Sequence, residues 1–253
     1  LKTTLLLDAD IFAFRIAATS QKAYKFDGDD GPVSLQVDDW EDVYPRVDEV
    51  FANVKAHLKA DELIVCLSCK TEEGFRFGIY PDYKQNRKGT ARPAYLQPLK
   101  EYMAEKYRTY WKGTLEADDC MGILSTHPTL VPGKKVIISE DKDMATVPGW
   151  LYNPAKDTKP RLISEEQAEY FHMYQTLVGD STDNYKGCPG IGPVKAEKLL
   201  KEAHPAGLWD IVVGAYEAKG LTEEDALLQA RLARICQHTD YDFKKAQVIL
   251  WNP

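Results

Sequence analysis

Three carboxylates crowd into four residues at Glu116, Asp118 and Asp119, in the run Leu115-Glu116-Ala117-Asp118-Asp119-Cys120-Met121. The run reads as the start of a helix leading into an apolar stretch. One acid near a helix N-terminus is ordinary, because it offsets exposed N–H groups and the dipole. Three so close repel one another unless positive charge sits among them. More acids follow short apolar runs: Asp8 after Leu5-Leu6-Leu7, and Asp141 and Asp143 after Val136-Ile137-Ile138. Asp180 and Asp183 add another pair. Singly, each has a bland reading as a cap, a turn or a dipole partner. Jointly they are hard oxygen ligands without histidine, which suits magnesium or manganese and not zinc. Two such ions can activate water and stabilise the leaving oxygen of a phosphodiester.

Complementary charge comes from Tyr83-Lys84-Gln85-Asn86-Arg87-Lys88. Lys84 and Arg87 would share a face if the segment is helical. Lysine and arginine on phosphates give nucleic-acid affinity, and Tyr83 could stack on an unpaired base. The bland alternative is a solvated basic loop. The turn Gly190-Ile191-Gly192, with Lys195 soon after, follows a helix or loop and not a strand. It therefore fails the context of a dinucleotide site. Glycines before a helix can instead present N–H groups to a phosphate, or simply connect two helices.

The elements that must position these groups are legible from periodicity. Residues 3–7, 63–67 and 136–139 are short apolar runs, read as buried parallel strands whose C-terminal ends deliver Asp8, Ser68 and Asp141. Ligands of open α/β sheets bind at those ends. Helical spacing marks residues 11–18, 40–59 (regular from about Pro45) and 96–107. Residues 27–32 read as a loop or turn. Residues 150–152 and 161–163 read as short strands. Ser164 with Gln167 resembles a capping box for a helix to about Val178, and residues 206–218 and 222–237 read as two more helices. The class is α/β, with a central parallel sheet up to about 163 and a mainly helical remainder.

The 253 residues allow one large domain or two smaller ones. The net charge of −7 argues at first against a nucleic-acid partner. That argument fails if the excess acid is gathered in one metal site beside a basic groove. No apolar run approaches the ~18 residues of a membrane span, and Leu1 to Leu7 are too few to read as a signal peptide. Five scattered cysteines do not form a disulfide framework, and Cys66-x-x-Cys69 has no second pair for zinc. A reducing cytoplasm is the simpler setting.

In order, Leu-Leu-Leu-Asp8, Tyr83-Lys84-x-Asn86-Arg87, Glu116-Ala117-Asp118-Asp119, Ser139-x-Asp141-x-Asp143, Gly179-Asp180-x-x-Asp183-Asn184 and Pro189-Gly190-Ile191-Gly192 resemble the 5′-nuclease superfamily. The nearest likeness is to the 5′–3′ exonucleases of T-seven-type bacteriophages. The resemblance implies a PIN-like core over residues 1–163, with a helical arch at about 72–110. It also implies a helical DNA-binding region over 164–253, with a helix–three-turn–helix at about 180–201. It assigns Asp8, Glu116, Asp118 and Asp119 to a first metal region, and Asp141, Asp143, Asp180 and Asp183 to a second. Lys84 and Arg87 match arch residues that contact the scissile phosphate. Tyr83, Lys88, Gly190, Gly192 and Lys195 fall among the DNA-binding positions, with potassium at the Gly190 hairpin. The chain departs from the family at Cys69, where an aspartate is usual.

The implied activity is a magnesium- or manganese-dependent 5′–3′ exonuclease on duplex DNA, using two ions and leaving 5′-phosphates. Flap cleavage and removal of RNA from RNA–DNA hybrids are family roles. The alternatives are a PIN-type ribonuclease, against which segment 179–200 speaks, and a non-catalytic DNA-binding homologue.

Overall fold

The computed structural model describes residues 2–25, 33–201 and 207–253, so the turn expected at 27–32 lies outside the described residues. Leu5, Leu6 and Leu7 alternate faces, as strand geometry requires, and all three are fully buried. Their strand, β1 (Thr3–Asp8), lies inside a six-stranded sheet. Its parallel neighbours are β4 (Glu62–Leu67) on one side and β6 (Lys134–Ile138) on the other. Beyond β4 comes β5 (Thr109–Trp111), and beyond β6 comes β7 (Gly149–Tyr152), both parallel. The last strand, β8 (Arg161–Ile163), is antiparallel. The order β5-β4-β1-β6-β7-β8 reverses direction at β1, so the C-terminal ends of β1, β4 and β6 flank a switch point.

Each face of the sheet carries a helical layer. Leu5 and Leu7 pack with α1 (Ala9–Thr19), α3 (Pro45–His57) and α5 (Leu96–Lys106). A short helix, α2 (Trp40–Val43), precedes α3, and Pro45 at its start separates the two. Leu6 packs on the other face with α6 (Ala117–Thr126). The Gly122 position of α6 has no room for a Cβ, which would overlap the Cys236 carbonyl oxygen. A hairpin of β2 (Gln21–Lys25) and β3 (Val33–Val37), which the apolar pattern did not announce, stands apart from the sheet.

From residue 164 the chain is mainly helical. α7 (Glu165–Val178) opens with the expected Ser164–Gln167 capping box. α8 (Pro193–Lys201), α9 (Leu208–Glu217) and α10 (Glu223–Ala233) follow, and a third core forms among these helices. A small hairpin, β9 (Tyr241–Asp242) and β10 (Gln247–Val248), closes the described fold. Ala168, Ile235, Cys236 and Tyr241 return to the α6 side of the sheet, so that core draws on both sides of residue 163. Within the stretch 72–110 expected as an arch, α4 (Phe75–Ile79) is anchored through buried Arg76. α5 is a core helix, with Leu99 and Met103 fully buried. Among the described residues no helix is long and apolar enough to cross a membrane.

Candidate active site

The C-terminal ends of the strands open into a cavity of about 290 Å³. Asp8 reaches it from the end of β1, and Asp141 and Asp143 from the turn after β6. Glu116 and Asp118 reach it from the start of α6, and Asp183 from the loop after α7. Residues far apart in sequence thus share one wall of acid. Asp10, Ser68, Arg76, Tyr83, Lys84 and Arg87 complete much of the lining.

The electrostatics follow from this crowding. Burial and the neighbouring Asp10 push Asp8 up to about 7, although Ser139 Oγ donates to its Oδ2 at 2.8 Å. Burial, then Asp8 and Asp141, push Asp118 well above the usual carboxylate range. Burial and Asp141 push Asp143 up to about 7. Glu116 runs the other way: burial would raise it, but Lys84 and Arg76 hold it down at about 2. Tyr83 Oη lies 2.9 Å from both Glu116 Oε2 and Asp183 Oδ2, and Lys84 Nζ bonds Glu116 Oε1. Arg87 Nη2 donates to Asp183 Oδ1 at 2.6 Å.

Segment 82–87 is stitched to the loop after α7. Lys84 N donates to Asp183 O at 2.9 Å, Asn86 to Ser181 O at 2.8 Å, and Asn184 to Asp82 O at 2.7 Å. Lys84 takes a left-handed backbone (φ 55°), and residues 85–87 form a single tight turn, not the helix on which Lys84 and Arg87 would share a face. The loop itself turns on Gly179 and Gly187, whose backbones approach so closely that a Cβ on either would overlap the other strand of the loop. Both have positive φ, 72° and 64°.

Not every expected site residue lines the cavity. Asp119 does not face the cavity. It is fully buried, accepts both arms of the Arg76 guanidinium at 2.7 and 2.8 Å, and accepts the Cys236 and Glu116 N–H groups. Its oxygens are spent on structure. Tyr83 is 3 % exposed, packed with Tyr185, Leu232 and Ala233, so no ring face is open for a base to stack on. Asp180 lies beside the cavity, not in its lining. It pairs with Lys142 at 2.9 Å and caps the turn through the Thr182 and Asp183 N–H groups. Lys88 is absent from the acid cavity and lines a hollow that shares Tyr83, Lys84 and Arg87 with it. Gly190 and Lys195 line a groove of about 520 Å³ with Lys198 and Lys219, away from the acids. Gly192 stands in the same turn, immediately before α8. Cys69 is absent from the cavity lining, whereas its neighbour Ser68 is in it.

The donor set fits a divalent cation. It offers oxygen only, and three of its carboxylates hold protons more tightly than usual, through burial first and the repulsion of neighbouring carboxylates second. As the side chains lie, no three such groups among the described residues form a ready coordination shell. Cations of the protein already hold Glu116, Asp183 and Asp180.

The family model for the 5′–3′ exonuclease, N-terminal resolvase-like domain, matches residues 3–149. The chain belongs to that 5′–3′ exonuclease family. Membership makes it a 5′–3′ nuclease. The exonuclease of Escherichia phage T7 is 30% identical over 206 residues, 69% of this chain and 69% of that protein. The exodeoxyribonuclease of Enterobacteria phage T3 is 29% identical over 206 residues, 69% of this chain and 68% of that protein. A flap endonuclease Xni of Shewanella halifaxensis is 30% identical over 181 residues, 66% of this chain and 71% of that protein. In fold, the chain resembles the bacteriophage T5 D15 flap endonuclease, solved with DNA and metal ions. That likeness has a TM-score of 0.65 and 17% identity, over 92% of this chain and 89% of that one.

Proposed function

We propose that this member of the 5′–3′ exonuclease family is a magnesium- or manganese-dependent nuclease that degrades duplex DNA from 5′ ends. The single observation that supports it most is the shared acid wall. Asp8, Glu116, Asp118, Asp141, Asp143 and Asp183 line one cavity at the strand ends, with Lys84 and Arg87 beside them. Two bound ions would supply an activated water and neutralise charge on the phosphodiester. Asp8, Glu116 and Asp118 would hold the first, and Asp141, Asp143 and Asp183 the second, with Asp180 supporting through the turn it caps.

The chain's own residues do the rest. Lys84 is buried against Glu116 and Asp183, and these two acids keep it charged against the pull of burial. A phosphate entering the cavity takes over that ammonium and the Arg87 guanidinium, which stabilise the charge that builds there. Tyr83 keeps Glu116 and Asp183 at a fixed separation. The lysine-lined groove at Gly190, with Gly192 and Lys195, is read as a duplex-binding surface with potassium at the hairpin, and Lys88, in the hollow beside residues 83–87, as a separate DNA contact. Residues 1–163 act as nuclease core and 164–253 as the DNA-gripping region.

The resemblance to flap endonucleases supports cutting at flaps, and removal of the RNA of RNA–DNA hybrids belongs to the same reading. So do a role in phage DNA replication and recombination and a setting in the bacterial cytoplasm. The test is digestion of 5′-labelled duplex with Mg²⁺ or Mn²⁺: products should carry 5′-phosphates and EDTA should stop the reaction. Cleavage indifferent to EDTA would end the metal reading.

A further inference from the structure

Asp10 lines the acid cavity, yet it belongs to none of the motifs discussed above. It is the second residue of α1, where an acid ordinarily does no more than face the helix dipole. Its side chain does something else. Oδ2 reaches the end of β4 and accepts the Ser68 N–H at 3.0 Å. Oδ1 lies 2.8 Å from Lys100 Nζ of α5, close enough to pair but not aligned as a hydrogen bond. Lys100 is mostly buried, with Nζ also 3.3 Å from Ser68 O and over the Trp111 ring. A carboxylate from the β1–α1 junction and an ammonium from a core helix thus meet at the cavity, two residues from Asp8.

We propose that Asp10 is a further carboxylate of the first metal region, balanced by Lys100 until a divalent cation binds beside Asp8 and Asp118. The assignment rests on the metal-dependent nuclease reading. Lysine is a single charge on a flexible stem, with nothing to fix its three donors on Oδ1. A doubly charged ion among several carboxylates draws Asp10 more strongly than Lys100 does. Asp10 is then attractive charge for the ion and Lys100 its competitor. The two residues of one ion pair should act on ion binding with opposite sign. A pair that merely braced β1 against β4 and α5 would act on stability and leave ion binding alone.

Isothermal titration of the full chain with Mn²⁺ alone, beside thermal melting, separates these roles. Asp10→Asn keeps the Ser68 contact and removes the charge, and should weaken Mn²⁺ about tenfold, as expected for one unit charge a few ångströms from the ion. Lys100→Met should tighten Mn²⁺ several-fold. Affinities that stay put in both variants, or move in the same direction, overturn the assignment. If Asp10→Asn fails to fold, Lys100→Met decides alone: unchanged or weaker Mn²⁺ binding rules the proposal out. A wild-type chain that neither binds Mn²⁺ nor cuts DNA with it defeats the nuclease reading itself. Wild type that binds and cuts, with insensitive variants, defeats only the role of Asp10.

Discussion

Arg76 grips Asp119 with both arms of its guanidinium, Nη1 on Oδ2 at 2.7 Å and Nη2 on Oδ1 at 2.8 Å. The remaining donors are also used: Nη1 on Glu116 Oε2 at 3.1 Å, Nε on Leu232 O at 3.1 Å and Nη2 on Arg234 O at 2.5 Å. Breaking a buried ion pair by removing one partner costs about 3–5 kcal/mol, and Glu116, on one Nη1 contact, replaces only part of what Asp119 gives Arg76. Asp119→Ala should therefore lower stability by that order in denaturant unfolding. Asp118→Ala should abolish cleavage and leave stability unchanged or higher, because it relieves repulsion with Asp8. Equal unfolding free energies for the two variants would contradict this division.

Lys84→Ala should lower kcat far more than duplex affinity. The side chain lies inside the acid cavity on Glu116, whereas the lysine-lined groove at Gly190 is elsewhere. Losing one charge-stabilising group in a water-poor site costs on the order of 10²–10³ in rate. Single-turnover cleavage and equilibrium binding in Ca²⁺ separate the two; matched losses would make Lys84 a docking residue.

Gly187→Ala should disturb catalysis from outside the cavity. Its positive φ costs a side chain about 1–3 kcal/mol, and the added Cβ would overlap the Gly179 backbone. The loop that yields presents Asp183 and receives the Lys84 N–H. Thermal melting should show the lost stability, and the Mn²⁺ concentration needed for half-maximal cleavage should rise.

His172 makes stability fall in mild acid. Burial holds it at about 3, below its ordinary 6.5, while its Nε2 sits 2.8 Å from Ala230 O. Between those values the unfolded chain binds the proton and the folded one does not, so this contribution is intact above 6.5 and shrinks as pH falls toward 3. At about pH 5 it removes roughly 2 kcal/mol. His172→Gln, which can still donate to Ala230 O, should flatten the slope over that interval in urea titrations. A slope identical to wild type would assign the acid sensitivity elsewhere.

The sheet and most helices were legible because burial writes itself into periodicity: Leu5 and Leu7 against Leu6, or Ser164 against Gln167 at a helix start. The acid wall was legible because parallel strands bring their C-terminal ends together. What the sequence hid was orientation. Asp118 and Asp119 are adjacent, yet about 100° of helical turn sends one to the cavity and the other into the core. Tyr83 looks like a stacking aromatic until Leu232 and Ala233 cover it. Arg76 carried no signal, since its partners lie 40 to 158 residues away. Asp10 was masked by its ordinary place in a first turn.

The Arg76 cage has a consequence for synthesis. Two of its acceptors, the carbonyls of Leu232 and Arg234, lie 156 and 158 residues downstream of the arginine. Asp119 likewise waits 117 residues for the Cys236 N–H. Domains fold from the N-terminus as they emerge, at about 5–20 residues per second. A nascent chain therefore completes its sheet well before the segment that locks Glu116 and Asp119 has been made. The groups that close the Arg76–Asp119 cage, on Leu232, Arg234 and Cys236, are therefore added after the sheet that they brace.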